Sequence, residues 1–203
     1  MRTDVTAGGK PVLFSHNPRT GGRSLEAFLN VKRLSHGYPV EKLTEQQWLD
    51  HFIVSSVRHP IDRFFSGYFG LTRKGETNSL IKQFGWGVTD LNALEFFELT
   101  EDFPRHNGVQ TQWTDFPSAE KPRADLVLRL EEVDQWVPQM LDAGLSVEGR
   151  VLPHKGKTDK SGTMRDLSKL GLTEPDYLLL CEKIEARHAS DYDTFGYERG
   201  SRI

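Results

Sequence analysis

A chain of 203 residues, 36% of them hydrophobic, is long enough to bury a core and short enough to read as one domain. Its formal net charge of −3 gives no global basic field of the kind that gathers nucleic acid, so any phosphate-binding capacity has to be local. The single cysteine, Cys181, excludes an internal disulfide and every cysteine-cluster metal site.

Residues 1–9 read as a flexible leader and 10–203 as a single domain. The N-terminal apolar run of about four residues is short of the ~7–15 of a signal-peptide core. Nothing approaches the ~18 apolar residues of a membrane span. The expectation is a cytoplasmic protein without a membrane span.

"PVLFSH" (11–16) predicts the first strand, feeding a helix that begins near Gly22 with "GRSLEAFLNVK". Thr20, Gly21 and Gly22 form a small-residue turn between them. The first amides of a helix have no intrahelical acceptors, and the helix dipole favours negative charge there, so this strand, turn and helix make a candidate anion site. The same residues also fit a tight turn in which Gly21 and Gly22 serve only backbone geometry. A Walker lysine is missing before Ser24, where Arg23 stands, and the three-glycine dinucleotide fingerprint is absent here.

"RLSHG" (33–37) reads as a short second strand or the exit from the helix, and "TEQQWLDH" as a helix with Thr44 at its N-cap. "FIVSSVR" (52–58) is a continuous apolar and β-branched run, the pattern of a buried strand. Pro60 then sits in the first turn of a helix whose apolar face is Ile61, Phe64, Phe65 and Tyr68, with Arg63 and Ser66 on another face, free to point elsewhere.

Residues 73–125 are the least regular, with a helix around "LNALEFFELT" and the polar segment "HNGVQTQW". "ADLVLRL" (124–130) predicts another buried strand, followed by the acidic helix start "EEVDQWVPQML", which Pro138 kinks. "VLPHKGKTDKSGTMRDL" is a loop, and the last helix, "EPDYLLLCEKIEARHASDY", carries Tyr177, Leu180, Cys181 and Ile184 on one stripe. Alternating strands and helices predict an α/β fold: three layers, α/β/α, around a mainly parallel central sheet, opened by a P-loop-like strand–loop–helix.

In open parallel sheets ligands sit beyond the carboxyl ends of the strands, which puts Arg19 and Arg58 at one edge. Ser66 follows Arg58 by eight positions. An arginine fork with a hydroxyl is a good phosphate receptor; the alternative for Arg58 and Arg63 is a salt bridge to Asp62 or another helix acid. Two anion sites on neighbouring strand ends suit a ligand with two separated phosphate groups better than a simple nucleoside triphosphate.

"HNPRTGGRSL" (16–25) resembles the "H-x-P-K-T-G-G-T-S" loop of the carbohydrate-type sulfotransferases, and "VRHPIDRFFSGYF" (57–69) is similar to their "V-R-x-P-x-x-R-x-x-S-x-Y" motif. "LRLEEV" (128–133) and the closing "DYDTFGY" (191–197) resemble later landmarks of that family, in order. The resemblance implies 3'-phosphoadenosine 5'-phosphosulfate as donor and adenosine 3',5'-bisphosphate as product, without a metal. It implies that Arg19 and Thr20, Gly21, Gly22, Arg23 and Ser24 hold the 5'-phosphosulfate, and that Arg58 and Ser66 hold the 3'-phosphate. Arg19 stands where the family has a lysine that stabilises the bridging oxygen, and Arg23 where it has a threonine. The acceptor implied is a hydroxyl of a saccharide or glycoconjugate.

"LSHGYP" resembles the "H-G-H" of the 2-O-sulfating uronyl enzymes of the heparan-sulfate type, with Tyr38 replacing the second histidine. A neutral imidazole suits removal of a hydroxyl proton, which makes His36 the candidate base; a surface or capping histidine is the alternative. His16 and His59 read as holding loop structure, while His106 and His154 stay open. "PHKGKTDKSGT" resembles the basic loop that closes on the donor in those enzymes, with Lys155, Lys157, Thr158 and Thr163 as candidates, or else is a solvated lysine-rich loop. Two rivals accompany this reading. One is a nucleotide or small-molecule kinase, which calls for a Walker lysine and acidic magnesium ligands. The other is a non-catalytic nucleotide-binding module.

Overall fold

The computed structural model describes residues 5–31, 37–72, 79–101, 107–153 and 166–200. The chain divides into two compact units, Met1–Arg58 with Gln110–Lys157 and His59–Val109 with Thr158–Ile203.

The first unit is built on a four-stranded mixed sheet in the order β1 (Thr6–Ala7), β2 (Lys10–Ser15), β3 (Phe52–Val57), β4 (Leu126–Arg129). β2, β3 and β4 run parallel, with Val12 opposite Phe52 and Val54 opposite Leu126, while β1 pairs antiparallel with β2. The strands are those the apolar runs predict, apart from β1, which lies in the segment read as a leader. Val5 and Ala7 are buried there, and Thr6 exchanges hydrogen bonds with Ser146, its N–H to Oγ at 2.9 Å and its carbonyl from the Ser146 N–H at 2.9 Å. Burial of the Val5 and Ala7 side chains and the two hydrogen bonds between Thr6 and Ser146 hold this segment in place.

Alternate residues of the strands feed two apolar clusters, as a period-two strand requires. Val12, Phe14, Val54 and Leu128 join Leu25, Phe28 and Leu29 of α1 (Gly22–Leu29) and Trp136 and Met140 of α8 (Trp136–Asp142). Leu13 and Ile53 join Trp48 of α3 (Glu45–Asp50), Phe116 and Ala119. α3 begins as predicted: Thr44 and Gln47 form a reciprocal capping box. Asn30, at φ 51°, ends α1 in a left-handed cap. α2 (Pro39–Lys42) and α7 (Thr111–Thr114) are single turns. A 3₁₀ segment, Leu130–Gln135, precedes α8, with non-helical backbone at Glu132. The irregularity falls there and not at Pro138, which occupies the first turn of α8, where its missing N–H has no intrahelical role.

The second unit is helical: α4 (Pro60–Leu71), α5 (Ser79–Phe84), a 3₁₀ turn (Trp86–Asp90), α6 (Ala93–Leu99), α9 (Leu167–Leu170), α10 (Glu174–Arg187) and α11 (Ala189–Phe195). Its core unites Ile61, Phe64, Phe65 and Tyr68 of α4 with Tyr177, Leu180, Cys181 and Ile184 of α10, the two stripes legible in the sequence. Phe65 stacks on Tyr177 at 5.9 Å with the rings nearly parallel. The predicted last helix is broken at His188 into α10 and α11. Among the described residues no helix is long and apolar enough to cross a membrane.

Candidate anion-binding site

β2 ends at Ser15 and α1 starts at Gly22, so the six residues His16–Gly21 make the turn. Two of them have left-handed backbones: Gly21 at φ 81° and Arg19 at φ 70°. Glycine adopts that conformation freely; for arginine it costs on the order of 1–2 kcal/mol, so the surroundings hold Arg19 there. A side chain at Gly21 would meet the ring of Trp136 at 2.8 Å and Leu130 at 2.9 Å. At Gly22 a Cβ would fall 2.3 Å from Nε2 of His16. That ring is buried and stacked on Phe14 at 5.4 Å, which fulfils the structural role read for His16. Both glycines are therefore required by close packing, and the helix start approaches its surroundings at backbone distance.

Gly21 supplies no side-chain cap to α1, and the first turn carries no acidic residue. Ser24 is buried and its N–H bonds back to the Gly21 carbonyl at 2.9 Å. Arg23 is exposed in this turn and Arg19 half-buried beside it. The positive end of the dipole and two guanidinium groups give this turn a local positive character.

A buried polar knot joins the turn to the end of β3. Thr20 donates from Oγ1 to the Asn17 carbonyl at 2.8 Å and shares a 2.8 Å hydrogen bond with Ser56 Oγ. Asn17 donates from Nδ2 to the Ser56 carbonyl at 3.2 Å and to Gln110 Oε1 at 3.0 Å. Gln110 also accepts from the Arg58 N–H at 2.9 Å and donates from Nε2 to the Arg58 carbonyl at 2.7 Å. Lower down, Ser55 donates to the Ser15 carbonyl at 2.9 Å and Ser15 to the Trp113 carbonyl at 2.5 Å. Asn17, Thr20, Ser56 and Gln110 are all buried. Most of these buried polar groups are paired, Asn17 Oδ1 being left without a partner among the described residues, and the pairing ties two strand ends together.

Of the residues singled out in the sequence, Arg19, Thr20, Gly21, Gly22, Arg23 and Ser24 share this turn, and Arg58 follows the adjoining strand. Ser66 lies on α4 in the second unit and is half-buried. His36, Lys157 and Thr158 lie outside the described residues, as do His106, His154, Lys155 and Thr163. Arg63 corrects an expectation. It is buried, not free on a polar face, and donates from Nη1 to the Gly108 carbonyl at 2.8 Å. His59 precedes α4, its ring edge-on to Tyr192 and Tyr197 at 5.5 and 5.3 Å, a structural role as read.

Two polar groups are not legible in the sequence. Gln110 is one, hidden in a segment that reads only as polar. The other is the buried trio of His188, Asp191 and Asn107 in the second unit, with His188 Nδ1 3.1 Å from Asp191 Oδ2 and Nε2 3.3 Å from Asn107 Oδ1. Burial pulls the His188 pKa down, against the pull of Asp191 and with that of Arg63 and Arg187. Among the described residues no group of three or more His, Cys, Asp or Glu side chains is placed to hold a metal ion. Compared with protein-family models, curated proteins and solved structures, the chain matches none.

Proposed function

We propose that the protein is a sulfotransferase that moves a sulfuryl group from 3'-phosphoadenosine 5'-phosphosulfate to a hydroxyl, on a saccharide or glycoconjugate. The observation that carries this reading is the start of α1: uncapped, without an acid, packed at backbone distance through Gly21 and Gly22, and tied to the strand end that bears Arg58. Such a turn is suited to a phosphate, and Arg58 on the neighbouring strand to a second one. The order of the four sequence motifs selects sulfuryl over phosphoryl transfer. The two apolar clusters fed by alternate strand residues support the three-layer α/β/α arrangement, and the β2–turn–α1 segment its P-loop-like opening.

In this reading the turn's amides and Arg19 take the 5'-phosphosulfate and Arg58 the 3'-phosphate, and the motif resemblance adds Ser66, Lys157 and Thr158 to the donor contacts. The acceptor oxygen attacks sulfur in line, the bond from sulfur to the bridging oxygen breaks, and the electron pair leaves with the 5'-phosphate. Arg19 stabilises that growing charge, which is where preorganised donors act most strongly. His36 takes the proton of the acceptor hydroxyl. The test is transfer of label from the donor to a panel of saccharides, with His36→Ala beside the wild type. Transfer that falls by ~10²–10⁴-fold in the variant, with bisphosphate binding kept, supports the roles. Donor binding with no transfer to any acceptor would leave a binding module.

A further inference from the structure

Gln110 is fully buried, and both polar atoms of its side chain are engaged by the residues that follow the two strands the proposed function uses. An extended residue presents its N–H and C=O on the same side. A primary carboxamide offers the matching acceptor and donor side by side, so one side chain can close two hydrogen bonds on one residue. Gln110 does this to Arg58, continuing the hydrogen-bonding of β3 past Val57 with a side chain in place of a strand. The same Oε1 accepts from Asn17 Nδ2, whose second N–H goes to the Ser56 carbonyl. Asn17 and Thr20 belong to the turn that opens α1. The backbone at Arg58 and the anion-binding turn are thus held at one separation by a single buried amide.

We propose that Gln110 is a positioning residue that sets the spacing between the two phosphate sites, and so the preference for a nucleotide with both a 3'- and a 5'-phosphate over one with a single 5'-phosphate. This rests on the sulfotransferase reading for the two sites and adds to it the group that fixes their distance. Gln110 touches neither phosphate. It acts through the backbone of Arg58, and a displacement of about 1 Å there is enough to weaken a charged contact made by the side chain.

The test compares adenosine 3',5'-bisphosphate with 5'-AMP by calorimetric titration of the wild type, Gln110→Met and Gln110→Glu between pH 5 and 8, with thermal unfolding alongside. The wild type should prefer the bisphosphate by about tenfold to a hundredfold. Gln110→Met keeps the volume and loses all three hydrogen bonds; its preference should fall to within about threefold of unity, while 5'-AMP affinity stays within about twofold. Gln110→Glu adds a reversible arm. As a carboxylate it repels the Arg58 carbonyl, but once protonated it presents the same acceptor and donor as the amide, and burial favours that neutral form. Its preference, divided by that of the wild type at the same pH, should therefore recover as pH falls.

A Gln110→Met protein with undiminished preference overturns the proposal and leaves the two-site reading standing. If that variant does not fold, Gln110→Glu decides: recovery at low pH supports the proposal, and a preference equal to wild type at every pH overturns it. If neither variant folds, Gln110 is a folding element and the proposal fails. A wild type that binds both nucleotides equally, or neither, removes the two-site reading itself.

Discussion

Gly22→Ala is the substitution whose outcome the structure specifies most tightly. The added Cβ would lie 2.3 Å from His16 Nε2 and 2.4 Å from Cδ2. Both distances are more than 1 Å short of the ~3.5 Å at which carbon contacts become favourable. The obstacle is not the end of a flexible chain. His16 is buried, and its ring is stacked on the buried Phe14. Either the ring leaves its place or α1 lifts from the turn, and overpacking of this kind costs typically ~1–3 kcal/mol. Denaturant unfolding measures the loss, and a double-mutant cycle with His16→Ala identifies its source. Removing the ring removes the clash, so the double variant should be more stable than the sum of the single effects by at least ~1 kcal/mol. Additive effects, or a Gly22→Ala protein within ~0.5 kcal/mol of wild type, would refute the packing explanation for this glycine.

Asn17→Asp replaces the Nδ2 that donates to Ser56 and Gln110 by an oxygen, faces it with two acceptors and buries a charge. Unfolding in urea should show a loss of at least ~3 kcal/mol, and a loss under ~1 kcal/mol would contradict the knot as described. Arg19→Ala should depress turnover more than donor affinity, because its partner is charge that grows on the leaving oxygen, whereas Arg19→Lys should keep activity. A turnover loss no larger than the affinity loss would remove Arg19 from the chemistry. His188 titrates below the usual histidine range because burial disfavours its charged form. The unfolded chain therefore takes up a proton at ~6.5 that the folded state does not, and the His188 contribution, complete above that pH, is lost as pH falls. Stability should drop between pH 7 and 5 with a slope of up to ~1.4 kcal/mol per pH unit from this group, and His188→Gln should flatten it. An unchanged slope in the variant would assign the acid sensitivity elsewhere.

Local patterns made the scaffold legible. The β-branched run of β3, the Thr44 cap and the apolar stripes of α4 and α10 each depend on residues a few positions apart, and each is where the sequence puts it. The turn between β2 and α1 was legible too, as a helix start rich in small and basic residues. What sequence could not supply were the partners. Gln110 finds Arg58 across 52 positions, and Arg63 finds the Gly108 carbonyl across 45, so one reads as loop polarity and the other as a surface cation. The need for Gly22 comes from the His16 ring, which no spacing rule encodes. β1 was hidden because a two-residue strand has no period, and its burial depends on Leu145 and Ser146 far along the chain.

The central claim is that one ligand with two separated phosphate groups binds at the α1 turn and Arg58. Calorimetric titration of the wild-type protein with adenosine 3',5'-bisphosphate and with 5'-AMP, each in the presence of a chelator, tests it most directly. The account predicts that the bisphosphate binds more tightly by ~1.5–3 kcal/mol, the worth of a charged, hydrogen-bonded phosphate contact, and that the chelator changes nothing. Equal affinities for the two nucleotides, or binding that disappears with the chelator, would contradict it.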